Sequence, residues 1–194
     1  MRGARHLAAL LLLGASAAAA LAAAAPPALD ELLALLRQRQ HGHVSFTEVH
    51  TLSMLKEPLT SSGELFYEAP DHLEKRTLKP APESLVLEHG VLRAQRGHRT
   101  RVIEVADFPD VAPFVESIRA TLAGDRAALE HYFDLDFEGD LGHWTLRLKP
   151  KDPSVAKSVA DITLSGERDV IATVAIRQSD GDHSLLTIGP EITP

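Results

Sequence analysis

The sequence predicts a mainly β protein: a large antiparallel sheet that curls, with helices laid on its concave side over a long apolar interior. Two observations carry this. Short runs alternate apolar and polar residues, as in "HVSFTEVHTL", "GELFYEA", "ESLVLEH", "YFDLDFEGD", "HWTLRLK", "ADITLSGE", "VIATVAIRQ" and "HSLLTIG", the period-two signature of half-buried strands. Turn-forming groups separate the runs: Pro70-Asp71, Glu88-His89-Gly90, Gly97-His98, Glu138-Gly139-Asp140, Gly166-Glu167 and Asp180-Gly181-Asp182. These short intervals make successive strands antiparallel hairpin partners. About ten or eleven strands are expected, with one helix before them and one helical insertion among them.

The chain opens with Arg2 and Arg5, an apolar run from Leu7 to Leu13 and then a stretch of alanines, the order of a secretory signal peptide. Leu7 to Ala25 is also about long enough for a membrane anchor. Alanine, however, supplies little of the hydrophobicity that retains a helix in lipid, and the alanine-rich end offers several A-x-A cleavage sites. Pro26 and Pro27 disfavour a cut directly after Ala25. The expectation is a signal peptide at residues 1–24, export to the periplasm, and a single domain over residues 25–194. The chain has no cysteine, so its core must hold it without disulfides, and lipid attachment at a mature N-terminus is excluded.

In "PPALDELLALLRQRQ", Leu29, Leu32, Leu33 and Leu36 share one face, with prolines before the first turn and Arg37 and Arg39 near the end. This predicts an amphipathic helix. His41 and His43 just beyond it read as an exposed, dipole-complementing cap. In "DFPDVAPFVESIRATLAG", Val111, Phe114, Val115, Ile118 and Leu122 form a helical stripe that Gly124 suits as a terminus. A short helix starting at Asp125 follows in "DRAALEHYF". Lys75-Arg76 reads as a charged strand edge that opposes sheet-to-sheet association.

The usual signatures of chemistry are absent: no G-x-S-x-G elbow, no phosphate-binding G-x-x-x-x-G-K, no H-E-x-x-H and no cysteine nucleophile. An esterase would need a buried Ser and His within hydrogen-bond reach. "FDLDFEGD" resembles a calcium loop, but strand periodicity explains it better, with Phe133, Leu135 and Phe137 on one face and Asp134, Asp136 and Glu138 on the other. No catalytic residue, metal or cofactor is expected. Without Arg2 and Arg5 there remain 18 basic against 27 acidic residues, a net charge of −9. That excess argues against nucleic acid and anionic lipid headgroups as primary partners. Apolar alternation alone fits a filled core and a cavity equally.

The order of the motifs adds a resemblance. The Phe46-x-Glu48 strand, Gly63-x-Leu65-x-Tyr67-x-x-Pro70-x-x-Leu73, Pro80-x-x-Glu83 with the Gly90 hairpin, a helical insert opening "PFVESI", and Leu146-x-Leu148-x-Pro150-Lys151 before the last strands follow one another over residues 28 to 188. In this order the chain resembles the LolA-like periplasmic outer-membrane lipoprotein carriers. The resemblance implies an incomplete antiparallel β-barrel of about eleven strands, with helices as a lid over a hydrophobic cavity. It also implies a monomer that takes an acylated lipoprotein or lipid from an inner-membrane transporter to an outer-membrane acceptor. Phe46, Leu65, Tyr67, Leu85, Leu87, Trp144, Leu146, Leu148, Ile162 and Leu164 would line the cavity. Leu32, Leu33, Leu36, Val111, Phe114, Val115, Ile118 and Leu122 would face it from the lid helices, while Glu64 and Glu68 belong to the outer face. Ala69 stands where family carriers often have a lid-latching arginine, so that latch is not carried over. The chain also stops after "TIGPEITP", where well-studied carriers continue with a further strand and tail, so transfer to the usual acceptor is a weaker expectation than cavity formation. A sensor or interaction domain on the same fold, binding acyl groups without transporting them, is the alternative.

Overall fold

The computed structural model describes residues 27–108 and 112–193; the signal-peptide reading of residues 1–24 and the lid residue Val111 lie outside them. Helix α1 (Pro27–Gln38) leads into β1 (His41–Thr51), β2 (Leu59–Glu68), β3 (His72–Lys79), β4 (Glu83–Glu88), β5 (Val91–Arg96) and β6 (Arg99–Glu104). A 3-10 turn (Val105–Asp107), α2 (Ala112–Leu122) and α3 (Arg126–Tyr132) follow. The second meander is β7 (Phe133–Asp140), β8 (His143–Pro150), β9 (Val159–Glu167), β10 (Val170–Gln178) and β11 (His183–Glu191), with the short α4 (Pro153–Ala156) after β8. All eleven strands form one sheet in the order β6-β5-β4-β3-β2-β1-β11-β10-β9-β8-β7. Every neighbouring pair is antiparallel.

This topology explains why the barrel is incomplete. The two meanders meet through β1 and β11, whereas β6 and β7 remain as free edges, and the segment connecting those edges carries α2 and α3. Helices rather than further strand pairing therefore cover the inner face.

Turn chemistry fixes the register locally. Glu88 pairs with Val91 across a two-residue loop in which His89 (φ 49°) and Gly90 (φ 75°) both have positive φ, the turn whose twist matches that of flanking strands. The register then sorts side chains into rows. On the inner face Gly42, Tyr67, Leu73, Leu87, Leu92 and Ile103 align across β1 to β6, and the next row is Val44, Leu65, Lys75, Leu85, Ala94 and Arg101. Across the second meander Phe137, Leu146, Leu164, Val174 and Leu186 align and end on Glu48 of β1. The main core is the α1 leucines at 29, 32, 33 and 36, with Ala120 and Leu129, against Phe133, Trp144, Leu146, Leu148, Ile162 and Leu164. Each is at most 2% exposed.

Four details differ from the sequence reading. His41 and His43 do not cap α1: the helix ends at Gln38, and β1 takes both residues into pairing with Glu68 and Phe66. His43 stacks on Phe66 at 4.1 Å. Lys75-Arg76 is no edge, because β3 lies between β2 and β4. Glu138-Gly139-Asp140 belongs to β7, and the turn falls at Leu141-Gly142. Gly139 permits this, since its φ of 92° and its approach to the His143 carbonyl exclude a side chain there. Finally, α4 lies where no helix was expected. Asp152 caps it by accepting from the Ser154 amide at 2.7 Å, and Pro153 opens its first turn.

Candidate functional site

The inner face of the sheet has a filled part and an open part. In the filled part the four α1 leucines occupy the wall built by β7, β8 and β9. Three polar contacts hold α1 down around them. The Arg37 guanidinium donates to the Gly124 carbonyl at 2.6 Å, Arg126 pairs with Asp30 at 2.5 Å, and Arg39 pairs with Asp169 at 2.9 Å. These clamps lie outside the sheet's hydrogen bonding. Gly124 sets the fit: its φ is +59°, and a Cβ there would lie 2.1 Å from the Leu33 carbonyl oxygen. Gly124→Ala is expected to cost at least about 1–2 kcal/mol from the left-handed backbone alone. It should also unseat α1, read as faster amide hydrogen exchange in α1 than in the sheet.

Helix α2 presents two different sides. Pro113, Ser117, Ala120 and Thr121 are buried, a stripe of small side chains that permits close approach. The hydroxyls are satisfied within the helix, Ser117 on the Phe114 carbonyl at 2.7 Å and Thr121 on the Ser117 carbonyl at 2.6 Å. Phe114, Val115, Ile118 and Leu122 are half-buried. Val115, with Glu116 and Arg119, borders a cleft of about 340 Å³ whose other walls are Pro70, Asp71, Leu87, Gly90 and Val105. A second cleft, about 410 Å³, is lined by Leu35, Gln38, Arg39, Gln40, His41 and Asp169 at the end of α1.

The register places Phe46, Leu65, Tyr67, Leu85 and Leu87 on one face of β1 to β4. Phe46, Tyr67 and Leu87 are buried there, while Leu65 and Leu85 are half-buried. Burial pushes the Tyr67 phenol up, and the nearby Arg119 opposes it. Trp144, Leu146, Leu148, Ile162 and Leu164 lie on the helix-covered wall with Leu32, Leu33 and Leu36. Glu64 sits on the opposite face, bonded to His43 at 3.2 Å, and Glu68 is exposed.

Sequence reasoning missed a polar cluster on this inner face. Glu48, 6% exposed, pairs with the Lys75 ammonium and lies 3.1 Å from the His50 ring. The Ser61 hydroxyl donates to the same carboxylate at 3.5 Å, and Lys75 stands over the Phe46 ring at 5.1 Å from its centre. Burial pushes the Glu48 carboxyl up, but Lys75 and His50 outweigh it and hold the group below its ordinary value of 4.5. Parity was the available signal: Glu48 alternates with Phe46, and Lys75 with Leu73.

Among the described residues no group of three or more metal-ligating side chains gathers, and no helix is long and apolar enough to cross a membrane.

An open antiparallel sheet whose apolar inner wall is covered by helices defines a half-barrel. The match to the family model described as "Outer membrane lipoprotein carrier protein LolA-like" spans residues 11–189. The chain belongs to that family. No functionally curated protein matches it in sequence. Among solved structures it is similar to a LolA superfamily protein from Nitrosomonas europaea, at 10% identity and a TM-score of 0.48, over 87% of this chain and 94% of that one. It is also similar to the Mycobacterium tuberculosis lipoprotein LppX, at 11% identity and a TM-score of 0.43, over 84% and 96%. A chain of the Pseudomonas aeruginosa MucA/MucB complex matches at 15% identity and a TM-score of 0.48, over 84% of this chain but 56% of that one.

Proposed function

We propose that this protein is an exported, periplasmic carrier that shields the acyl chains of a lipoprotein or other acylated lipid between its helices and the inner face of its sheet. Residues 1–24 direct export and are removed, leaving one domain over residues 25–194. An inner-membrane transporter donates the cargo and an outer-membrane protein accepts it. No bond is made or broken.

One observation carries the reading: the inner wall is filled by leucines of a helix that no strand pairing holds in place. Burying a leucine is worth about 2 kcal/mol, so four contribute about 8 kcal/mol. A sixteen-carbon chain gains about 12 kcal/mol on leaving water, at ~0.8 kcal/mol per methylene. Loading replaces one apolar plug by another, so displacing the leucines offsets about two-thirds of the chain's gain and leaves about 4 kcal/mol, a moderate affinity that permits release. Aliphatic side chains suit a flexible tail because they impose no orientation.

The test is uptake of a fluorescent sixteen-carbon fatty acid. Leu65→Asp puts a carboxylate on the inner wall at a half-buried site opposite Lys75, and it is expected to abolish saturable uptake while circular dichroism stays that of the folded protein. Unchanged uptake by the folded variant would remove Leu65 from the binding wall and contradict the reading.

A further inference from the structure

The acidic excess of this chain is not evenly spread. Residues 93–101, "RAQRGHRTR", hold four arginines and a histidine and no acid; they form the β5–β6 hairpin at one free edge of the sheet. Register divides the arginines by face. Arg93 lies opposite Val102 on the outer side, whereas Arg96 stands directly opposite Arg99, with Arg101 next along the same inner face. Arg96, Arg99 and Arg101 are all exposed. Among the described residues only Arg96 has an acidic partner, Glu83 at 2.7 Å. Like charges facing each other across a strand pair are unfavourable. Protection of the free edge accounts for charge on β6 and Glu83 offsets the charge of Arg96 on β5, which leaves Arg99 and Arg101 on the inner face without an acidic partner among the described residues.

The inner face runs continuously from this cluster into apolar wall. Arg101 shares its row with Ala94, Leu85, Lys75 and Leu65, and the adjoining row, Ile103, Leu92, Leu87, Leu73 and Tyr67, is apolar throughout. A chain lying on Leu87, Leu92 and Ile103 would bring its polar end to Arg99 and Arg101. Guanidinium groups match planar or tetrahedral oxyanions through paired N–H donors. We infer that the cargo is an amphiphile whose acyl chain is joined to a headgroup bearing a phosphate or carboxylate, and that Arg99 and Arg101 bind that headgroup at the open edge. This rests on the carrier reading and names its cargo class. The acidic excess, which counts against anionic headgroups for the chain as a whole, does not extend to this hairpin, since beyond about 8 Å exposed charges are largely screened at physiological salt.

The experiment compares two probes with the same sixteen-carbon chain, lysophosphatidylglycerol and monopalmitoylglycerol, each kept below its micelle-forming concentration. The wild-type protein should bind the anionic probe more tightly by about tenfold or more, the effect of charge-assisted contacts to one phosphate. The double variant R99Q/R101Q should keep its affinity for the neutral probe and lose the preference. R93Q, altered on the outer face, should retain it. Equal binding of both probes by the wild type overturns the headgroup assignment and leaves the carrier reading standing; binding of neither overturns both. An equal loss in R93Q reduces the effect to general charge and overturns the site. Binding to phosphatidylglycerol vesicles without binding of the monomeric anionic probe makes the hairpin a membrane contact and overturns the assignment too.

Discussion

Lys75→Met should destabilise the protein by roughly 3 kcal/mol at neutral pH, measured by chemical denaturation. Removing one member of a buried ion pair costs about 3–5 kcal/mol because the other charge is stranded. The Glu48 side chain is 7% exposed and would be stranded, while Lys75 at 26% keeps some contact with water, which puts the cost at the lower end. Lys79→Met, on an exposed residue of the same strand, should change stability by less than about 0.5 kcal/mol. The pH dependence has a definite sign. The folded-state pKa of Glu48 lies below its ordinary 4.5, so its stabilisation is complete above that value and is lost as pH falls through the lowered one. In Lys75→Met, burial is opposed by His50 alone, the folded-state pKa of Glu48 moves up, and the acid limb of the stability profile flattens. An unchanged acid limb would show that Lys75 is not the group that holds the carboxylate charged.

Leu32→Ala should separate a plug from an ordinary core residue. Leu32 is 0% exposed in the main cluster, and truncating such a leucine costs about 2–5 kcal/mol by lost transfer energy and a residual cavity. An ordinary core residue would show that loss and nothing else. A plug also competes with cargo, so hollowing it should tighten acyl binding even as the empty protein becomes less stable. Thermal unfolding with and without the fluorescent fatty acid reads both effects: a lower midpoint alone, and a larger ligand-induced rise than in wild type. A lower midpoint with a smaller rise would mean that α1 builds the binding wall instead of filling it.

The sheet was largely legible in the sequence because alternation and turn chemistry are local. The Glu88-His89-Gly90 turn and the β2–β3 hairpin are written in adjacent residues, and α1 in the spacing of its leucines. What could not be read depends on which strands become neighbours. Lys75 looks like an edge charge until β4 pairs beside β3, and although parity sets Glu48 on the face of Phe46, its burial between Leu186 and Ser61 and its pairing with Lys75 need the register. Parity gave the inward-facing residues and the resemblance set Leu32, Leu33 and Leu36 over them; how completely they fill the space was not legible, since periodicity is the same whether leucines or a ligand cover Trp144 and Leu146. On α2 the stripe of large residues, Phe114, Val115, Ile118 and Leu122, is only half-buried, while Pro113, Ser117, Ala120 and Thr121 are the buried side; hydroxyls that bond their own helix become packable in a way composition does not announce. The segregation of arginines to one face of the β5–β6 hairpin likewise needed the register.

The most direct test of the account uses the only tryptophan in the chain. Trp144 is 2% exposed and packs in the same cluster as the α1 leucines, so a chain that displaces them must come into contact with it. Titration with a sixteen-carbon fatty acid brominated along its chain should quench Trp144 fluorescence saturably, with one equivalent giving most of the effect. Saturable binding of the same fatty acid with Trp144 fluorescence unchanged would place the chain outside the α1-covered wall and contradict the displacement mechanism.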